Sequence, residues 1–253
     1  MKDLTSITGF LDAELNVADF PGDSANNGLQ VENMGRVNRI CCGVDASLDF
    51  FEAAQRLGAD MVVCHHGISW GDSLKRITGA NYRRISFLME NDMALYACHL
   101  PLDAHRLHGN NALICKALGL RGIKGFGLYH GMTIGFEGKL PRPMDYKDFK
   151  KLAAKITGGE VRSMDFGKNK VSTVAVISGS ASDLINEAGE KSIDVFLSGE
   201  AKLSAYGLTH ELGINAVFAG HYATETFGVK SLAILLKKKF GIPVEFIDMK
   251  VPY

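Results

Sequence analysis

The chain carries no excess charge of either sign: 28 lysines and arginines stand against 28 aspartates and glutamates. That balance removes the global attraction on which strong nonspecific nucleic-acid or anionic-membrane binding depends, and leaves only locally basic surfaces to such partners. Cysteine is scarce. Cys41, Cys42, Cys64, Cys98 and Cys115 are odd in number, form no Cys-x-x-Cys pair and mostly lie in apolar runs, so they read as reduced buried thiols and not as a disulfide framework. No segment reaches the roughly 18 uninterrupted apolar residues of a membrane span, and the opening MKDLTSITGFLDAELN has no apolar stretch of signal length. A Walker-type glycine loop is missing, as is an arginine cluster suited to a triphosphate. These absences predict a soluble cytoplasmic protein without membrane contact, whose function rests on local sites. Its 253 residues suffice for one large domain or two small ones with real cores.

What is present is an alternation of strands and helices. Leu4, Ile7, Phe10, Leu11 and Leu15 recur at helical spacing, and the polar loop PGDSANNGLQVEN follows. A strand is predicted around Val37 to Val44, a helix from Ser47 to about Gly58, a strand from Asp60 to Cys64, a helix near Tyr82 to Glu90, a strand from Met93 to Cys98 and a helix ending near Gly119. The segment LRGIKGFGLYHGMTIGFEGKLPRPMDY, rich in glycine and proline, is the candidate boundary, with a crossing near residues 120 to 130. Beyond it come a helix from Asp145 to Ile156, strands at Val171 to Ile177, Val195 to Leu197 and Ala216 to Phe218, and a long helix to Phe240 before a last strand. Lys237, Lys238 and Lys239 then form a solvated helix end.

The two halves repeat each other. ICCGVDASLDFFEAAQRLGADMVVCHHG overlays VAVISGSASDLINEAGEKSIDVFLSGE, with Ser47 on Ser182 and Asp60 on Asp194, and MALYACHLPLD overlays NAVFAGHYATE. His99-x-x-x-Asp103 thereby matches His221-x-x-x-Glu225. The expected fold is α/β: two similar three-layer α/β lobes related by internal duplication, 1–125 and 126–253, free to exchange terminal elements.

His65, His66, His99, Asp103, His221 and Glu225 all fall at carboxyl ends of predicted strands, where open α/β sheets gather ligands. Taken singly, each has a plainer role: His99 as a strand-terminal residue bonded to backbone, Glu225 as a first-turn carboxylate favoured by the helix dipole. Taken together they form an imidazole and carboxylate set without thiolates, which suits zinc, iron, manganese, nickel or cobalt and allows a carboxylate to bridge two ions. Because side chains alternate along a strand, His65 and His66 are expected to point apart and to serve different ions.

The combination of NNGLQV, CHHGISW, CHLPLDAHRLHGNN, LSGEAK and GHYATE resembles, in order and over nearly the whole chain, the NIF-three-like family, whose members also go by the name GTP cyclohydrolase 1 type 2 homologue. The resemblance implies two divalent metal ions per chain in the cleft between two α/β lobes, held by His65, His66, Asp103, His221 and Glu225, with Glu225 as the bridge. It also implies a toroidal homohexamer and a compact form lacking the domain inserted in longer relatives. His99 matches a family histidine beside the metals and is assigned an acid–base or orienting role. Asn27, Gly28 and Gln30 come from the amino-terminal motif, where closing a turn over the sheet and hydrogen bonding to substrate weigh equally. Trp70 is either an aromatic loop anchor or a surface on which a purine stacks.

Two functions from different classes follow. One is a metal-dependent hydrolase acting on a small molecule, with GTP ring opening as the activity that the resemblance implies. The alternative is a non-catalytic metal-binding ring that acts as a chaperone, sensor or interaction scaffold. Five protein ligands shared by two ions leave coordination positions for water, which favours chemistry.

Overall fold

Runs such as ICCGVD and MVVCHH are apolar on both faces, the pattern of parallel strands covered by helices on each side. The computed structural model, which describes residues 1–252, bears this out: the first five residues of each are buried. The chain divides into two α/β units, Met1–Leu102 with Gly228–Lys250, and Asp103–Phe227 with the chain end from Val251.

The first unit contains β1 (Lys2–Asp3), α1 (Leu4–Glu14), β2 (Gly28–Val31), β3 (Arg36–Val37), β4 (Ile40–Asp45), α2 (Leu48–Arg56), β5 (Met61–His66), α3 (Gly79–Glu90) and β6 (Ala94–Ala97), and α4 (Leu100–Ala104) runs across its limit. The second contains α5 (Asn110–Ala117), β7 (Arg121–Tyr129), β8 (Met132–Asp145), α6 (Tyr146–Thr157), β9 (Arg162–Asp165), β10 (Lys170–Val176), α7 (Ile185–Glu190), β11 (Val195–Ser198), α8 (Leu203–Leu212) and β12 (Asn215–Phe218). The last helix, α9 (His221–Phe240), begins in the second unit and from Gly228 belongs to the first, as does β13 (Val244–Phe246). Side-chain caps start the helices where the sequence supplies them: Asp3 accepts from the Ser6 N–H at 2.8 Å and Ser47 from that of Phe50 at 3.2 Å.

Each unit is built on a sheet. In the first the order is β13-β4-β5-β6-β2, with β13, β4, β5 and β6 parallel and β2 antiparallel at the edge. In the second it is β7-β8-β10-β11-β12-β9, with β10, β11 and β12 parallel and β9 antiparallel at the edge. Phe50, Phe51 and Leu88 pack on the first sheet, and Phe149, Ala153 and Leu118 on the second.

Element order carries the duplication further than the residue overlay does. Apart from β3, which pairs with β1 outside the main sheet, both units run helix, edge strand, strand, helix, strand, helix, strand: α1-β2-β4-α2-β5-α3-β6 and α6-β9-β10-α7-β11-α8-β12. The overlaid aspartates also do the same work. The Asp60 carboxylate accepts from the N–H groups of Asn38 and Arg39 at 2.6 and 3.0 Å, beside the start of β4, and that of Asp194 accepts from Ser172 and Thr173 in β10 at 2.8 and 3.0 Å.

The glycine- and proline-rich segment, read in the sequence as the crossing, is a β-hairpin, and the division falls before it, at Leu102. His130 and Gly131 both take positive φ, 47° and 81°, which suits the tight turn joining β7 to β8. Pro141 and Pro143 lie where the β8–β10 register shifts, between the Thr173–Lys139 and Val171–Met144 pairs, so neither interrupts a regular ladder.

Burial pulls the Asp194 carboxyl upward, but the Ser172 and Thr173 N–H groups and the Lys168 ammonium outweigh it and hold the carboxyl below the usual aspartate range. A depressed folded-state pKa gives stability that is present above the unfolded value, about 3.9, and is lost as pH falls through the folded one. Asp194→Ala is therefore expected to cost about 2 kcal/mol at neutral pH. In urea unfolding its deficit against the parent should shrink below about pH 4; a deficit that stays constant into acid would remove the carboxylate charge from this account.

Candidate metal centre

A histidine at the end of a parallel strand has the ends of its neighbouring strands beside it, and they decide which ring nitrogen faces outward. His65 and His66 close β5, between β4 and β6. The His65 Nδ1 lies 2.9 Å from the carbonyl oxygen of Cys98, just past β6. The His66 Nδ1 lies 2.7 Å from Oδ1 of Asp45, its register partner on β4. A carbonyl oxygen can only accept and a carboxylate normally does, so each Nδ1 carries the proton and each Nε2 carries the lone pair.

His99 completes a trio. Its Nδ1 donates to Oδ1 of Asp23 at 2.9 Å, and its backbone N–H donates to the Asn27 side chain at 2.7 Å. Asp23 also accepts from the Ala25 and Leu100 N–H groups and from the Asn27 amide. Burial raises its pKa, but the hydrogen bond to His99, then that imidazole's charge, and the Asn27 and Ala25 N–H groups bring it below the ordinary value. The ring centroids of His65 and His66 stand 4.7 Å apart, and His99 lies 5.1 and 5.7 Å from them. One donor atom from each of the three falls within 4.8 Å of the others.

The expectation that His65 and His66 point apart is thus corrected. Simple alternation assumes a flat pleat, whereas here each ring leans to a different neighbour, one toward the end of β6 and the other toward β4, and the rings stay adjacent. Gln30 and Asn27 hold loops around the trio. Gln30 accepts from the Ile68 and Ser69 N–H groups and donates to the Asn26 and Ser69 carbonyls. Those contacts, with the Asn27 bond to His99, are the turn-closing role weighed in the sequence. The Trp70 indole donates to the Gly67 carbonyl at 2.9 Å, and its ring lies edge-on to His99, with centroids 5.0 Å apart.

The second unit brings together His221 and Glu225, one helical turn apart at the start of α9. His221 Nδ1 lies 3.0 Å from Oε2 of Glu200, and its Nε2 lies 3.0 Å from Oε1 of the buried Glu225. A neutral imidazole has one proton for these two acceptors, so the trio needs one more positive centre: a second proton, on the ring or on a carboxyl, or a cation. The bond to His221 holds the Glu200 carboxyl below its ordinary range against the effect of burial. Close approach here requires glycine: a Cβ on Gly179 (φ 64°) would stand 2.3 Å from Glu225 Oε1 and 3.2 Å from His221 Nε2. The Gly179 N–H donates to the Thr224 hydroxyl at 3.1 Å. One residue earlier, Ser178 donates through its hydroxyl to Oδ1 of Asp103 at 2.9 Å, which also accepts from the Asn110 amide at 2.8 Å.

These residues fit divalent cations by the chemistry of their donors. All four imidazoles have Nδ1 against an oxygen, the arrangement that orients a ligating ring and raises the basicity of its Nε2, although His221 has an oxygen at each nitrogen. The five cysteines are buried, and burial pushes the thiols of Cys41, Cys42, Cys64 and Cys115 up, that of Cys115 to about 12. Asp23, Asp45, Glu200, Ser178 and Asn110 were missed from the sequence. Glu200 stood within the LSGEAK motif and Asn110 within CHLPLDAHRLHGNN, but the others carried no signal apart from the partner that each one orients.

Residues 2–252 match the family model Duf34/NIF3 (NGG1p interacting factor 3). The chain is 41% identical over 246 residues to a protein of Archaeoglobus fulgidus named GTP cyclohydrolase 1 type 2 homolog, covering 97% of this chain and 98% of that one. It is 42% identical over 247 residues to a protein of the same name from Pyrococcus horikoshii, with the same coverage. Among solved structures, the protein ybgI, of unknown function, superposes with a TM-score of 0.94 at 33% identity, and TTHA1606 from Thermus thermophilus with 0.89 at 35%, each over 100% of both chains. No helix among the described residues is long and apolar enough to cross a membrane. With a match that runs nearly end to end, and with relatives of equal span, the chain belongs to the Duf34/NIF3 family.

Proposed function

We propose that the protein is a metal-dependent hydrolase that holds two divalent ions through His65, His66, Asp103, His221 and Glu225, with Glu225 as the bridging carboxylate. The observation that carries this reading is the shared orientation of the four imidazoles: each has Nδ1 against an oxygen and presents Nε2. The ions are drawn from iron, zinc, manganese, nickel and cobalt, which accept imidazole and carboxylate donors. When bound, two such ions supply Lewis acidity and generate a hydrolytic nucleophile from water near neutral pH.

The chain's own groups do the rest. Asp45 and Glu200 hold His66 and His221 by their Nδ1–H groups, and Cys98 holds His65 by its carbonyl. His99 moves protons: the buried Asp23 carboxylate stabilises the imidazolium formed when Nε2 takes up a proton, and the bond at Nδ1 keeps that nitrogen facing outward. Trp70 stands edge-on to that ring, with centroids 5.0 Å apart. The name borne by the relatives makes GTP the first substrate for trial, ahead of other nucleotides, phosphoesters and cyclic amides.

Metal analysis of protein purified without added metal should find two ions per chain. Glu225→Ala should lose more metal than His65→Ala, since a bridge touches both ions; two ions retained at unchanged affinity in Glu225→Ala would refute the bridge. Two ions with no turnover on any of those substrate classes would favour the non-catalytic alternative, a metal chaperone, sensor or scaffold.

Asp45→Ala tests orientation apart from ligation, because Asp45 is outside the proposed ligand set. Its loss should weaken metal binding about 10- to 100-fold in a competition titration. An unchanged affinity would mean that the Asp45–His66 bond serves the fold alone.

The proposal includes a homohexameric ring, brought in by family resemblance. The parent, His65→Ala and Asp103→Ala should then share one oligomeric mass by light scattering while the two variants lose metal. A stable parent monomer would end the ring.

A further inference from the structure

The edge strand β9 carries a charged residue to the end of the second sheet at which His221 sits. Its register places Arg162 opposite Phe218, three residues before His221. In the first unit the corresponding edge strand β2 places Leu29 opposite Tyr96, three residues before His99. The duplicated frame is thus satisfied by an aliphatic side chain in this slot, and the guanidinium is an addition to it. Arg162 is exposed, and its side chain makes no hydrogen bond or ion pair among the described residues.

Arg162 lines a cavity of about 640 Å³ together with Glu160, Glu200, Phe218, Gly220 and His221. That volume is within the range of small-molecule sites, roughly 300–1,000 Å³. His221, the first residue of α9, a helix of 20 residues, lines the same space and brings the positive end of the helix dipole to it. Of the two carboxylates, Glu200 is engaged by His221, and Glu160 stands two residues from Arg162 without an ion pair to it among the described residues. A guanidinium offers five N–H donors in a planar fork that matches the paired oxygens of a phosphate or carboxylate.

We infer that Arg162 is the oxyanion-recognising residue of a substrate subsite in this cavity, binding a phosphate or carboxylate group of a small molecule whose reacting end lies toward His221. The direction of the reacting end rests on the metal-hydrolase reading, whereas the oxyanion contact does not. Glu160 opposes that contact by like charge and sets how strongly an anion is held.

The test is calorimetric titration of the full-length protein, as purified and again after chelation, with inorganic phosphate and separately with acetate. The parent should bind at least one of them, and the tighter of the two identifies the group as phosphate or carboxylate. Arg162→Gln should weaken that binding about tenfold, the loss of a charge-assisted paired contact, and Arg162→Lys should recover part of it. Glu160→Gln should tighten it about threefold, because a like charge is removed. A solvated surface arginine would give no such opposed pair of effects. Equal affinity in the parent and Arg162→Gln in both forms, or binding of neither anion by the parent, would overturn the subsite. The metal content of the same variants separates the two readings: Arg162→Gln with the parent's metal complement and unchanged anion affinity would end this inference and leave the metal centre standing.

Discussion

An imidazole has two nitrogens and, when neutral, one proton, so whatever accepts from one nitrogen decides what the other can do. In this protein that choice is made by strand ends and by loops packed against them. Asp45 reaches His66 because β4 and β5 are parallel and in a register that pairs those two residues. The Cys98 carbonyl reaches His65 because β6 ends beside β5. A slip of one residue would turn every side chain of a strand to the other face and break both contacts at once. The buried apolar runs of the sheet thus control the tautomers of the histidines at its end.

The two units answer the same geometric problem with different residues. Positions that hold the frame are repeated: Asp60 and Asp194 each accept from a pair of backbone N–H groups beside the first parallel strand, and His99 and His221 each follow the third. Positions that orient the rings have diverged. The carboxylate behind His99 comes from the loop before β2, and the one behind His221 follows β11. The edge strand carries Leu29 in one unit and Arg162 in the other. Duplication preserved what the backbone needs and released what faces a ligand.

Much of this was legible in the sequence, because the signals were local. Helical spacing marked α1, Ser47 marked the start of α2, and apolar runs marked β4, β5, β10 and β12 to within a few residues. The edge strands β2 and β9 were not legible: at four residues each, GLQV and RSMD are too short to show alternation, and they are strands only because β6 and β12 have open edges. The hairpin of β7 and β8 looked like a linker because its glycines and prolines are also what a linker uses. The histidines and carboxylates of the candidate centre stood out by repetition. Asp23 and Asp45 did not, since an aspartate gains meaning only from the ring it faces, and that ring is 76 and 21 residues away respectively.

Glu225 shows how tightly backbone and chemistry are joined. It is buried, and its Oε1 stands 3.0 Å from a ring nitrogen whose partner nitrogen already faces Glu200. The approach is possible only because Gly179 has no Cβ and accepts a φ of 64°, and the Gly179 N–H is fixed in turn by Thr224, the residue before Glu225. Burying a carboxylate in this way is unfavourable unless positive charge accompanies it. A second proton, on the ring or on the carboxyl, meets that need by occupying the ring lone pair or the carboxylate oxygen that faces it. A cation provides the charge while using that lone pair. The cradle of glycine, threonine and carboxylate therefore sets an imidazole nitrogen and a buried carboxylate oxygen side by side, the donor pair from which the proposed centre is built.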